Sequence, residues 1–267
     1  MMKYDIVDRM RSGERISIGM VHTLPLPGSY RGQYSMEEII DRAVADAQAL
    51  ENAGFDAIIV ENLNDGPHED GSMDVRKVAA LARICTKVRE SVRIPIGIDS
   101  CGEQTAGFGI GIVTGISFIR LSYMVDIRVG ARGIILPNGG NAVMLRRRLG
   151  ADEIRIFADI QVKHTYPLLD SISLEESAKW AISNMADALI VTGAETGRAA
   201  SIEDLKKVKH ISTVPVVAGS GVTAENVAEQ YAACDGAIIG SSLKRSRNVM
   251  DPIDAELAKE FMRAVGK

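Results

Sequence analysis

Cysteine is scarce in this chain: Cys85, Cys101 and Cys234 are the only three in 267 residues. Three scattered thiols make neither a disulfide framework nor a compact zinc site, and they read as small core residues in a reducing compartment. Aromatic residues are also few, at 4%, with a single tryptophan, Trp180, in a helical stretch where it is most simply core. Charge of one sign is missing too. Thirty-one basic against thirty-five acidic residues give a net charge of −4, so no strong field draws the chain to nucleic acid. Long apolar runs are absent. The longest uncharged stretch, residues 104–119, is shorter than the roughly 20 residues of a membrane span and is rich in glycine. The opening Met1-Met2-Lys3-Tyr4-Asp5 has no apolar signal core. These absences exclude secreted, membrane-spanning, fibrous and disordered classes, and the expectation is a cytoplasmic α/β protein.

What the chain does have is regular alternation. Short, nearly continuous apolar runs recur at residues 16–21, 57–60, 94–98, 118–121, 154–160, 188–191, 214–218 and 237–239. Such runs suit parallel strands buried on both faces. Between them apolar residues follow the helical period, as in Ile39, Ile40, Ala43, Val44, Ala47 and Leu50. Ser35-Met36-Glu37-Glu38 and Ser173-Leu174-Glu175-Glu176 have the form of capping boxes, and Ser201 and Thr223 stand where N-caps belong. Eight strands, about seven crossover helices and a closing helix over 254–265 predict one (β/α)8 barrel domain spanning 1–267. An open doubly wound sheet also alternates but rarely needs eight strands in this length. No linker or composition shift marks a second domain.

In a barrel of this kind the working groups stand where strands run into the following loops. His22 ends the first strand, Glu61 and Asn62 the second, Asp99 and Ser100 the third. Arg120 lies in the fourth, Asp159, Gln161 and Lys163 at the fifth, Thr192 and Gly193 at the sixth. Period two places Asp159, Gln161 and, if the strand continues, Lys163 on one side, with His164 turned the other way. An Asp–Lys pair at the mouth could hold a carboxylate, shuttle a proton or present an amine for a Schiff base, or it could simply be an interior ion pair. Glu61, Asp99 and Asp159 together offer oxygens to a divalent cation, though no compact ligand motif supports one and no cofactor is required. Cys101 lacks any evident activating base. His68 and His210 read as surface residues.

The last quarter carries two glycine-rich strand exits, Gly219-Ser220-Gly221 and Gly240-Ser241-Ser242. Glycine lets backbone N–H groups approach an anion, and the loops after the seventh and eighth strands are the habitual phosphate site of this fold. Lys244 is near in sequence, and the 192–197 loop could cover the same ligand. The plainer alternative is that these glycines only make tight turns.

The segment Gly19-Met20-Val21-His22-Thr23-Leu24-Pro25-Leu26-Pro27-Gly28-Ser29 resembles the pattern near the start of the BtpA/SgcQ family. Asp56 through Asn62, Ala158-Asp159 through Lys163-His164, Val191-Thr192-Gly193 and Ile239-Gly240-Ser241 are similar to that family as well, so the resemblance covers almost the whole chain. It implies a TIM barrel. It does not imply one reaction, since one branch is linked to photosystem I biogenesis and another to sugar-transport gene clusters. Three functions follow as expectations. The first is an enzyme, lyase or isomerase, acting on a small phosphorylated and sugar-like metabolite. The second is a non-catalytic assembly or stability factor, which should carry an apolar surface patch. The third is a flavin-mononucleotide-binding barrel using the same phosphate loops. A homo-oligomer is expected by analogy with other barrels.

Overall fold

The computed structural model describes residues 5–66, 74–101, 105–131, 133–169, 171–193 and 197–267. Its strands are β1 (Ile16–His22), β2 (Ala57–Glu61), β3 (Ile96–Asp99), β4 (Phe118–Leu121), β5 (Arg128–Gly130), β6 (Gly133–Ile135), β7 (Arg155–Ile160), β8 (Tyr166–Pro167), β9 (Ala188–Val191), β10 (Val216–Ala218) and β11 (Gly236–Ile239). Eight of them, in the order β1-β11-β10-β9-β7-β4-β3-β2, close into an all-parallel barrel. The chain is therefore a TIM barrel, as its alternation predicts.

Two apolar layers hold the barrel. Ile58, Val60, Ile96, Ile98, Ile156, Leu189, Val191, Val216 and Ala218 face outward into a continuous core with the surrounding helices. Ile16, Ile18, Met20, Ala57, Ile59, Phe118, Phe157, Ile190, Val217 and Ile238 fill the interior. The Phe118 and Phe157 rings lie 4.7 Å apart there. Gly97 makes room for them, since a Cβ at that position would come within 2.3 Å of the Phe118 ring. A short N-terminal helix, α1 (Ile6–Arg11), places Ile6, Val7 and Met10 in the same interior cluster and so plugs one end.

Helix starts follow the sequence closely. In α2 (Met36–Ala53) Ser35 and Glu38 form the full capping box, and Ser173 and Ser201 cap α3 (Leu174–Ser183) and α4 (Ile202–Ile211). Thr223 does not cap as expected: α5 (Val227–Ala233) begins after Asn226, whose side chain accepts from the Thr223 N–H. The long 122–141 stretch also differs from a plain loop. It contributes β5 and β6, which join β8 in a small antiparallel sheet in the order β6-β5-β8. Trp180 is not core. It is 40% exposed and lines a second, largely apolar cavity of about 390 Å³ with Met124, Ile127, Leu168 and Leu169.

Candidate active site

Period two explains which side chains meet at the open end. Each inward apolar residue is followed two positions later by another inward residue. Met20 thus leads to His22, Ile59 to Glu61, Gly97 to Asp99, Phe118 to Arg120, Phe157 to Asp159, Val217 to Gly219 and Ile238 to Gly240. The register aligns them, with His22 beside Glu61 and Glu61 beside Asp99 on neighbouring strands. Above this layer lies a cavity of about 530 Å³. His22, Glu61, Asp99, Arg120, Lys163, Gly219, Ser220, Gly221, Gly240 and Ser241 all line it.

Its floor is a network of buried charges. Arg120 holds Asp159 with two hydrogen bonds, Nε to Oδ2 at 2.8 Å and Nη2 to Oδ1 at 2.9 Å. Burial would lower the Arg120 pKa, but the Asp159 charge and hydrogen bonds outweigh it and keep the guanidinium firmly protonated. His22 donates from Nε2 to Glu61 at 3.2 Å, and burial lowers its pKa against the opposing pull of Glu61. Burial would raise Glu61; the His22 hydrogen bond and the charges of Arg120 and Lys163 win and hold it at about 2. Asp99 goes the other way. Burial and the Glu61 charge push it up to about 8, with Arg120 opposing. Burial, then the Arg120 charge, lower the Lys163 pKa.

Several predicted contacts take other roles. Gln161 is not on the cavity side: β7 ends at Ile160, Gln161 adopts a left-handed φ of +49°, and its amide donates to Ile172 O and Ser177 Oγ on the helix side. The same reversal at His164, φ +59°, brings that residue to the cavity instead of away from it. Asn62 is fully buried and does not line the cavity. Its Nδ2 donates to Asp65, and its Oδ1 accepts from the Cys101 N–H, so it ties two loops together. Asp65 also accepts the Leu26 N–H, which pins the Leu24-Pro25-Leu26-Pro27 segment. Thr192 accepts the Lys163 N–H at 3.0 Å and so positions that residue without lining the cavity. Asp159 lies beneath the cavity, spent on Arg120, and drops out of the expected cation set. The side chains brought within 4.8 Å of one another are those of Glu61, Asp99 and Cys101.

The two glycine-rich exits lie side by side at one edge of the cavity. Among the described residues, the N–H groups of Gly221, Gly240 and Ser241 donate to no backbone carbonyl. The Gly219 N–H does not join them, because it bonds Val191 O at 2.8 Å and extends the sheet. Ser220 Oγ accepts the Gly193 N–H and donates to Arg198 O, which clamps Gly193 and Arg198 onto the first exit. That clamp is why glycine is needed at Gly193 and Gly221: a Cβ would meet Arg198 O at 2.3 Å and Ala199 N at 2.1 Å respectively. Gly193 therefore acts in backbone packing and does not line the cavity. Ser242 turns away to donate to Val222 O, and Lys244 is buried with its ammonium on Val249 O at 2.6 Å. Residues 194–196, part of the expected covering loop, and His68 lie outside the described residues. Ser122, Tyr123 and Thr165 also line the cavity and had no distinguishing pattern in sequence.

Fold and cavity together define a (β/α)8 barrel with a charged mouth and a glycine-rich edge. The BtpA family profile matches residues 14–267, and the chain belongs to the BtpA family. It is 33% identical to the photosystem I biogenesis protein BtpA of Synechocystis over 94% of this chain and 88% of that one. It is 38% identical to an uncharacterised protein of Archaeoglobus fulgidus, over 94% of this chain and 98% of the relative. Among solved structures it is similar to (S)-3-O-geranylgeranylglyceryl phosphate synthase from Thermoplasma acidophilum in complex with sn-glycerol-1-phosphate. That match has a TM-score of 0.62 at 15% identity and covers 99% and 98% of the two chains. It is also similar to a native KDPGal structure, with a TM-score of 0.55 at 19% identity over 94% of each chain. At these identities the likeness is one of fold. No helix of the described residues is long and apolar enough to cross a membrane.

Proposed function

We propose that the protein is an enzyme acting on a small phosphorylated, sugar-like metabolite by proton transfer or bond cleavage. One observation carries this reading: a single cavity is lined both by Gly221, Gly240 and Ser241, whose N–H groups meet no backbone acceptor among the described residues, and by the half-buried Lys163. The N–H groups take the phosphate, and its binding energy orients the rest of the molecule toward Lys163. Burial and the neighbouring Arg120 shift Lys163 toward the neutral amine, the form that accepts a proton or attacks a carbonyl. Arg120, fixed by Asp159, offers positive charge to a developing oxyanion. Glu61 and Asp99 orient substrate hydroxyls. The fold neighbour in complex with sn-glycerol-1-phosphate supports a phosphate ligand in a barrel of this kind. Borohydride reduction with a panel of phosphorylated aldehydes and ketones should leave a mass-spectrometric adduct on Lys163 if the amine is the nucleophile. Exchange of substrate C–H hydrogens with heavy water, without an adduct, identifies the proton-transfer version. Neither result across the panel, with Lys163→Met unchanged in every assay, overturns the reading.

A second reading, an assembly or stability factor, draws support from the surface around the small sheet. Ile134, Leu136, Tyr166 and Leu169 are more than half exposed beside the cavity that Trp180 lines. The name of the Synechocystis relative points the same way. Retention of the biological role by Lys163→Met, with its loss in Leu136→Asp, would favour this reading over catalysis.

A further inference from the structure

We infer that Glu61, Asp99 and Cys101 form a binding site for one borderline divalent transition-metal cation, of the zinc or cobalt kind, at the barrel mouth. One carboxylate oxygen from each acid and the Cys101 sulfur lie within 4.8 Å of one another. Atoms that share a metal at roughly 2.0–2.3 Å are themselves about 3–4 Å apart, so only a small inward movement is required. The strand register places two of the three, since Glu61 and Asp99 are direct neighbours at the ends of β2 and β3. Cys101 follows two residues later and already donates from sulfur to Glu61 Oε1 at 3.6 Å. A thiolate with two carboxylates selects a borderline metal over magnesium or calcium, which prefer oxygen alone.

A second observation points to a missing cation. Asp99 is 2% exposed, yet its Oδ1 has no hydrogen-bond partner. A buried oxygen left without a partner is costly, and the neighbouring Cys101 S–H is already turned to Glu61. The nearest fixed cation is already engaged: Arg120 grips Asp159 and approaches Asp99 Oδ2 only to 3.7 Å. A divalent ion would satisfy Oδ1 and relieve the repulsion between the two acids. Glu61 is moreover held in orientation by the His22 Nε2–H, the kind of supporting hydrogen bond that metal-binding side chains receive from a neighbour. On binding, the Cys101 thiol and the Asp99 carboxyl both give up their protons to solvent, and no electron changes hands.

Three protein ligands leave a position open, and the cavity that holds Lys163 lies on that side. A cation there would polarise a substrate oxygen. That consequence rests on the cavity being the substrate site; uptake of the ion does not.

The test is titration of chelator-stripped full-length protein with Co²⁺, followed by calorimetry and absorbance. The expected result is one cobalt per chain with a near-ultraviolet sulfur-to-cobalt charge-transfer band. Cys101→Ser should abolish the band and weaken uptake at least about tenfold, and Asp99→Asn should weaken it as much, while Cys85→Ala changes neither. Should a variant fail to fold, Zn²⁺ should still protect Cys101 of the parent from alkylation, read by mass spectrometry. Absence of stoichiometric uptake, a band that survives Cys101→Ser, or no protection overturns the site. Phosphate binding is measured separately on metal-free protein, so loss of the cation would leave the phosphorylated-metabolite reading standing, and the converse holds.

Discussion

Arg120 and Asp159 stand on adjacent strands and meet fork to fork beneath the cavity, at 2.8 and 2.9 Å, with both side chains buried. Removing one partner strands the other charge in the interior. Asp159→Asn and Arg120→Met should each lose about 3–5 kcal/mol in denaturant unfolding, and Arg120→Met/Asp159→Leu should lose less than the two singles combined. Additive losses would show that the pair is not coupled.

Asp99 makes the metal-free protein sensitive to pH. Its folded pKa is about 8 and its ordinary value is 3.8, so the folded state holds the proton more tightly. The favourable contribution is fully present below about pH 4 and is lost as pH rises toward about 8. Glu61 has the opposite sign: held at about 2, it contributes above its ordinary 4.5 and is lost only in acid. With chelator present, Asp99→Asn should therefore gain stability relative to the parent between about pH 4 and 8, and level off beyond. Parallel stability curves for the two proteins would contradict this assignment.

Much of the site was legible because a strand alternates faithfully. His22, Glu61, Asp99, Arg120 and Asp159 each follow an inward residue by two, and the structure brings them into one layer. Extrapolation failed where the strand stopped. Nothing in Ile160-Gln161-Val162 announces a left-handed Gln161, which is fixed by the Ser177 and Ile172 contacts it makes across 11–16 residues. Asn62 misled for a related reason: a polar residue at a strand end reads the same whether it meets substrate or braces a loop. The β5–β6–β8 sheet escaped because strands of two and three residues carry no period to detect. Its exposed apolar side chains are visible only once the fold is known.

Gly221 discriminates loop packing from ligand binding. Its φ is +67° and a Cβ would meet the Ala199 N at 2.1 Å, in backbone that has no rotamer to yield. Gly221→Ala should cost at least about 2 kcal/mol of stability, combining left-handed strain with a steric clash. Gly115→Ala, also left-handed but facing open space, should cost only the strain, about 1 kcal/mol. Equal melting temperatures for the two variants would show that Arg198 and Ala199 yield to a Cβ at position 221.

Gly240 bears on the phosphate grip most directly. Its backbone lines the cavity beside Ser241, and the nearest atoms a Cβ there would meet belong to the His22 and Met20 side chains, from 3.2 Å. Gly240→Asp puts a carboxylate among the proposed phosphate donors without burying new volume in the core. The decisive measurement is calorimetric titration of the metal-free parent and Gly240→Asp with inorganic phosphate and small phosphate monoesters, alongside their melting temperatures. The expected result is a loss of at least about 2 kcal/mol in affinity, about thirtyfold, with the fold intact. A variant that binds these ligands as tightly as the parent would contradict a phosphate site at Gly221, Gly240 and Ser241.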